Sequence, residues 1–200
     1  LLTKLKQRFQ FWIASEAKIA HSLGLAPNHV SAVGILFAIS STLAYWNWQL
    51  HQILPIVAPI LLLISGFCDA LDGALARIYG ETTTFGGFLD SLLDRYADAF
   101  VLCGIILGGL CHPFWGLAAL TGSLLVSYVR ARAEAKGVEM EAVGVAERAE
   151  RLLILVIASF LSIVWLEALS WGVIVLAVLA NLTVLQRVIH FYKASQQKEK

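Results

Sequence analysis

Every aspartate in the chain falls between positions 69 and 98: Asp69, Asp72, Asp90, Asp94 and Asp98. The sequence around them is otherwise apolar, a setting in which an ionised carboxylate is costly unless it is paired, hydrated or metal-bound. Asp69 and Asp72 are three residues apart and Asp90 and Asp94 four, so each pair shares one face of a helix. The stretch joining the pairs is short, which predicts antiparallel neighbouring helices and four carboxylates at one depth. Such a cluster calls for cations, and all-oxygen ligands favour Mg²⁺, Mn²⁺ or Ca²⁺. Gly73 and Ala76 follow the first pair, and Gly86 sits one turn before Asp90. Small side chains there leave helix backbone open to a bulky ligand. Arg77, a turn after Gly73, suits a phosphate. A divalent metal, a groove and an arginine together point to a pyrophosphate-containing substrate. Asp98 reads instead as a structural group, hydrogen-bonded or paired with Arg95.

The elements that must position these acids are membrane helices. Of 200 residues 58% are apolar and only 14% charged, and the mean hydropathy is +0.75. That balance excludes a disordered chain, a coiled coil and an ordinary soluble enzyme. A net charge of +1 gives no reason to expect a nucleic-acid partner. Cys68, Cys103 and Cys111 have neither metal-finger nor disulfide-framework spacing and read as packing residues. Six candidate spans run near 30–48, 54–77, 85–110, 114–133, 148–167 and 171–192. Before them, over 1–24, Leu5, Phe9, Trp12 and Ile13 recur at helical spacing with Lys4, Lys6 and Arg8 on the other sides, which predicts an amphipathic surface helix. The expectation is an all-α integral membrane protein with six transmembrane helices over 30–192, plus this N-terminal helix, as a single domain over 1–200. Among the lysines and arginines, Arg95 alone lies away from the termini and from the second and fourth connections. The positive-inside rule therefore puts both termini and the carboxylate cluster on the cytoplasmic side of the cell membrane.

Written out, the acidic segment is Asp69-Ala70-Leu71-Asp72-Gly73-Ala74-Leu75-Ala76-Arg77, eight further residues, Gly86, three residues, Asp90, three residues and Asp94. This resembles the signature of the CDP-alcohol phosphotransferase family at every fixed position and in both long gaps. Length, six-span layout and the N-terminal helix are also similar, so the resemblance covers essentially the whole chain. It implies transfer of a phosphatidyl-type group, built on diacylglycerol or archaeol, from a CDP-lipid to the hydroxyl of a small alcohol, with release of CMP in phospholipid biosynthesis. It further implies two divalent ions, Mg²⁺ or Mn²⁺, on Asp69, Asp72, Asp90 and Asp94, with Asp94 also the catalytic base. Gly73, Ala76, Arg77 and Gly86 would meet the CDP moiety, joined by Thr83, Asn28 and Ser31. Family members resemble homodimers, to which Gly104 and Gly108, a small-residue pair on the third span, would contribute; packing within one subunit accounts for that pair equally well.

The acceptor is read from the fourth connection. Ser127 and Arg130 share a helix face, as do Arg148 and Arg151, and inward-facing arginines suit a phosphate on the alcohol. Ser127, Arg130 and Arg148 resemble the phosphate-binding positions of the inositol-phosphate-using branch, with Arg187 a further candidate. Arg132 and Arg151 read equally well as orientation-setting charges. Glycerol 3-phosphate is the rival acceptor. An ion or proton transporter with intramembrane carboxylates is the alternative of another class, although transporters usually set their acids near the midplane.

Overall fold

The structure is a computed structural model describing residues 2–140 and 143–198, with side chains described over 12–140 and 143–196. Its described elements are helical: α1 (Leu2–Ser22), α2 (Pro27–Trp46), α3 (Leu54–Tyr79), α4 (Thr84–Leu107), α5 (Pro113–Glu134), α6 (Arg148–Leu161) and α7 (Ala168–Lys198). Pro27 and Pro113 open α2 and α5, where a fixed φ and a missing N–H do no harm. Gly80, at φ 69°, stops α3 in the left-handed conformation. Thr83 caps α4 by accepting the Gly86 amide at Oγ1, 2.9 Å away.

By length and composition α2, α3, α5 and α7 can each cross a membrane. The acids and Arg95 reduce the apolarity of α4. The expected span over 148–167 is shorter as a helix: α6 has 14 residues and gives way to turns after Leu161. Large apolar side chains such as Leu36, Leu107, Phe114, Val164 and Leu166 are exposed, the surface of a molecule solvated by lipid rather than water. Lipid chains are as apolar as leucine, so close packing of small residues holds such helices together. Ala38, Ala58, Ala119 and Ala180 are accordingly sealed from the surface.

Neighbouring helices close a ring in the order α2, α3, α6, α7, α5, α4 and back to α2. The expected direct pairing of α3 with α4 is slight, because α2 packs against both. Its glycine makes this possible: a methyl group on Gly34 would lie 3.0 Å from Cys68 Cβ on α3. On the other side, methyl groups on Gly104 and Gly108 would lie 2.6 Å from the Thr42 carbonyl oxygen and 2.3 Å from that of Tyr45. The small-residue pair of α4 thus serves packing within the chain. Valines, leucines and alanines from all six ring helices fill the centre.

Outside the ring, α1 buries Ile13, Ala17 and Ala20 against Ala74 and Leu75 of α3. The side chains of Leu5, Phe9, Lys4, Lys6 and Arg8 lie outside the described residues, as does that of Lys200. Between α5 and α6 the chain folds back on α7: Val138 and Met140 are buried beside Phe191, and Ala146 N donates to Thr183 Oγ1 at 3.1 Å. Gly144, at φ 117°, allows this contact, since a methyl group there would lie 2.3 Å from Thr183 Cγ2.

Candidate active site

Three ring helices, α2, α4 and α6, begin at one end of the bundle, and α3 ends there. Their N-termini turn positive dipole ends to this end, a favourable setting for anions. A cleft at this end is lined by Ser31, Asp69, Asp72, Asp90, Asp94 and Arg148, among others. Asp69, Asp72 and Asp90 each offer a carboxylate oxygen, and those oxygens lie within 4.8 Å of one another. Asp72 is only 5% exposed, and Ser31 Oγ donates to its Oδ2 at 2.5 Å. Converging oxygen donors of this kind, one buried and two half-buried beside a cleft, fit a hard divalent cation.

Asp94 is outside that close set. Arg148, the first residue of α6, donates from Nη1 to Asp94 Oδ1 at 2.9 Å and also pairs with Asp69. Its Nε lies 3.6 Å from Asp98 Oδ1. Behind it, Arg151 Nη2 donates to Asp98 Oδ2 at 2.8 Å, and Arg151 Nη1 to the Ala146 carbonyl at 3.2 Å. Arg148 is therefore shared between the acids that line the cleft and one set deeper in the bundle.

Asp98 does not pair with Arg95, whose side chain turns back along its own helix to the Ser91 carbonyl. Asp98 instead faces the bundle centre. The signal was in the spacing: Asp90, Asp94 and Asp98 recur every four residues, and Arg148 and Arg151 are three apart. Those two stripes meet across α4 and α6.

The remaining candidates divide into those at the mouth of the cleft and those occupied elsewhere. Arg77 is exposed and folds over Gly73, where a methyl group would lie 3.1 Å from Arg77 Nη1. A methyl group on Gly86 would lie 2.8 Å from Thr83 Oγ1 and 3.8 Å from Asn28 Oδ1, so these three residues form one patch. Ala76 is half-buried, as is Ser127 on α5. Arg130 is exposed and pairs with Glu134 on its own helix at 2.9 Å. Arg187 is 1% exposed and holds two backbone carbonyls, donating from Nε to Val143 at 2.8 Å and from Nη1 to Val126 at 2.6 Å. Of the five expected acceptor residues, Arg148 alone lines the cleft. Arg151, 4% exposed, and Arg187 spend hydrogen bonds on their own chain.

Residues 24–191 match the sequence model of the CDP-alcohol phosphatidyltransferase family. The chain belongs to that family and is a membrane-integral, divalent-metal-dependent CDP-alcohol phosphotransferase. It is 41% identical over 201 residues to the archaetidylinositol phosphate synthase of Pyrococcus horikoshii, an alignment covering 100% of this chain and 99% of that one. It is 42% identical over 178 residues to the enzyme of the same name from Methanothermobacter thermautotrophicus, covering 88% and 87%. Among solved structures it is similar to Mycobacterium tuberculosis phosphatidylinositol phosphate synthase in complex with manganese and citrate, with a TM-score of 0.79, 30% identity and coverage of 90% and 88%. The same enzyme with CDP-DAG bound gives a TM-score of 0.75 at 30% identity, covering 90% and 93%.

Proposed function

We propose that this chain transfers a phosphatidyl-type group from a CDP-lipid to the hydroxyl of an inositol phosphate, releasing CMP. The observation that carries the reading is the convergence of Asp69, Asp72 and Asp90, with Asp94 and Arg148 beside them, at one end of an apolar bundle. Relatives named as archaetidylinositol and phosphatidylinositol phosphate synthases support the acceptor. The chain acts as a single domain with six spans and α1 at the interface. Both termini and the α3–α4 and α5–α6 connections face the cytoplasm, where the chain's basic residues are concentrated. Two chains form a homodimer.

In this mechanism Asp69, Asp72, Asp90 and Asp94 hold two divalent ions, Mg²⁺ or Mn²⁺. When bound, these ions neutralise the pyrophosphate and stabilise departing CMP. Gly73, Ala76 and Gly86 leave room for the nucleotide against the helix backbones. Arg77, with Asn28, Ser31 and Thr83, fixes the CDP group at the cleft mouth. Asp94 accepts the proton of the acceptor hydroxyl as its oxygen bonds to the lipid-side phosphorus. The bond from that phosphorus to the bridging oxygen breaks, and its electron pair leaves with CMP. Arg148, with Ser127 and Arg130 at the rim, receives the acceptor phosphate; Arg151 and Arg187 hold the walls of that pocket.

The test is CMP release from CDP-lipid in detergent with Mg²⁺, using inositol 1-phosphate and glycerol 3-phosphate as rival acceptors. Release is expected with inositol phosphate, and Asp94→Asn is expected to lower it by roughly 10²–10⁴-fold. Release with glycerol phosphate alone would overturn the acceptor and keep the reaction. Absence of release with either acceptor would overturn the assignment.

A further inference from the structure

We infer that Asp98 is a positioning residue for the acceptor phosphate, acting through Arg148. The inference rests on the proposed role of Arg148. Asp98 touches neither the close carboxylate set nor the cleft. Its two oxygens are divided between two arginines one helical turn apart, Oδ2 accepting from Arg151 Nη2 at 2.8 Å and Oδ1 lying 3.6 Å from Arg148 Nε. A second small cavity lies beneath the cleft, lined by Ser65, Asp98, Ser123, Arg148 and Arg151 among others. Arg148 borders both cavities, with the cleft acids on one side and Asp98 on the other.

The charges give this arrangement its consequence. Arg148 Nη1 is drawn onto Asp69 and Asp94. With those carboxylates as its only partners, the guanidinium would lie across acids that must also serve cations. Asp98 supplies a competing negative charge behind it, fixing the Nε side of the planar group and aiming the fork. Arg151 sets the height of the anchor. It bonds Asp98 and the Ala146 carbonyl two residues before Arg148, and Ala146 N is itself tied to Thr183 on α7. Asp98 thus determines where the start of α6 and its arginine sit relative to the acids. Arg148 Nε and Arg151 Nε are buried without a hydrogen-bond partner, and Asp98 is the carboxylate that the two arginines share from below.

Asp98→Asn keeps the shape and removes the charge. The expected result is a rise of about tenfold in KM for inositol phosphate, with KM for CDP-lipid within about twofold of the parent. The stabilisation of the purified protein against heat by added inositol phosphate should fall in parallel. Asp98→Glu, which restores the charge, should recover most of the acceptor affinity. A purely structural Asp98 predicts a different pattern: less active protein, a lower kcat, and both KM values unchanged. That split would overturn the inference. If Asp98→Asn does not fold, Arg151→Lys, which loosens the anchor through Asp98 and the Ala146 carbonyl, carries the same comparison, and an unchanged acceptor KM there would overturn it equally. Failure of the parent enzyme to use inositol phosphate would instead overturn the proposed function.

Discussion

At the scale of single residues, the buried acid of the cleft depends on a neighbour. Asp72 is 5% exposed, and the Ser31 hydroxyl is its side-chain hydrogen-bond partner. A donor behind a metal-binding carboxylate aims it, and loss of such a partner typically weakens metal affinity by about 10–100-fold. Ser31→Ala is therefore expected to weaken Mn²⁺ binding by about tenfold, read by titration of the free ion's paramagnetic resonance. A role for Ser31 confined to the nucleotide would leave that titration unchanged and raise only KM for CDP-lipid. The acids themselves were legible in the sequence because a carboxylate in an apolar run is too costly to keep without a task. The use of Ser31 was legible only in part: its place at the start of a span put it near the acids, but a hydroxyl carries no sign of which group it will face. Asp98 shows the same limit. Its neighbour in sequence, Arg95, is not its neighbour in space, because long side chains on a helix point back toward its N-terminus.

At the scale of elements, close approach decides which helices meet. A methyl group on Gly108 would lie 2.3 Å from the Tyr45 carbonyl oxygen, and backbone cannot move aside as a side chain can. Gly108→Val is expected to lower the midpoint of thermal unfolding in detergent by several degrees or prevent folding, at a cost of about 1–3 kcal/mol or more. Gly87→Ala is the control: nothing lies within 4 Å of that position, and its midpoint should be unchanged. Helix starts were legible from Pro27 and Pro113, and the end of α3 from Gly80. The early end of α6 was not. No glycine or proline marks it; Ser159 and Ser162 turn their hydroxyls onto the carbonyls of Leu155 and Ser159, at 2.7 and 2.6 Å. Serines that bond nearby backbone in this way offer it an alternative to the helix. The insertion of α2 between α3 and α4 was equally hidden. A short connection implies nearness, while the space between two acid-bearing helices is settled by a third.

At the scale of the whole molecule, the carboxylates gather at one end of the bundle and the largest apolar cluster fills its centre. Chelation of divalent ions is expected to abolish CMP release, and Mg²⁺ or Mn²⁺ to restore it, while the helical circular dichroism signal stays within a few per cent of the starting value. Loss of that signal on chelation would mean that the ions hold the fold together. The ring order could not be read from periodicity, which says that a helix face is buried but never against which partner. Its far end holds one contact with a wider meaning. Tyr45 and Ser159 share a hydrogen bond of 2.7 Å between α2 and α6, helices that are not ring neighbours. It bridges the bundle like a crossbar, at the end away from the acids. Ser31 at the start of α2 and Arg148 at the start of α6 both reach the cleft, so the bond yokes together, at their other ends, two helices that carry polar groups to the acids.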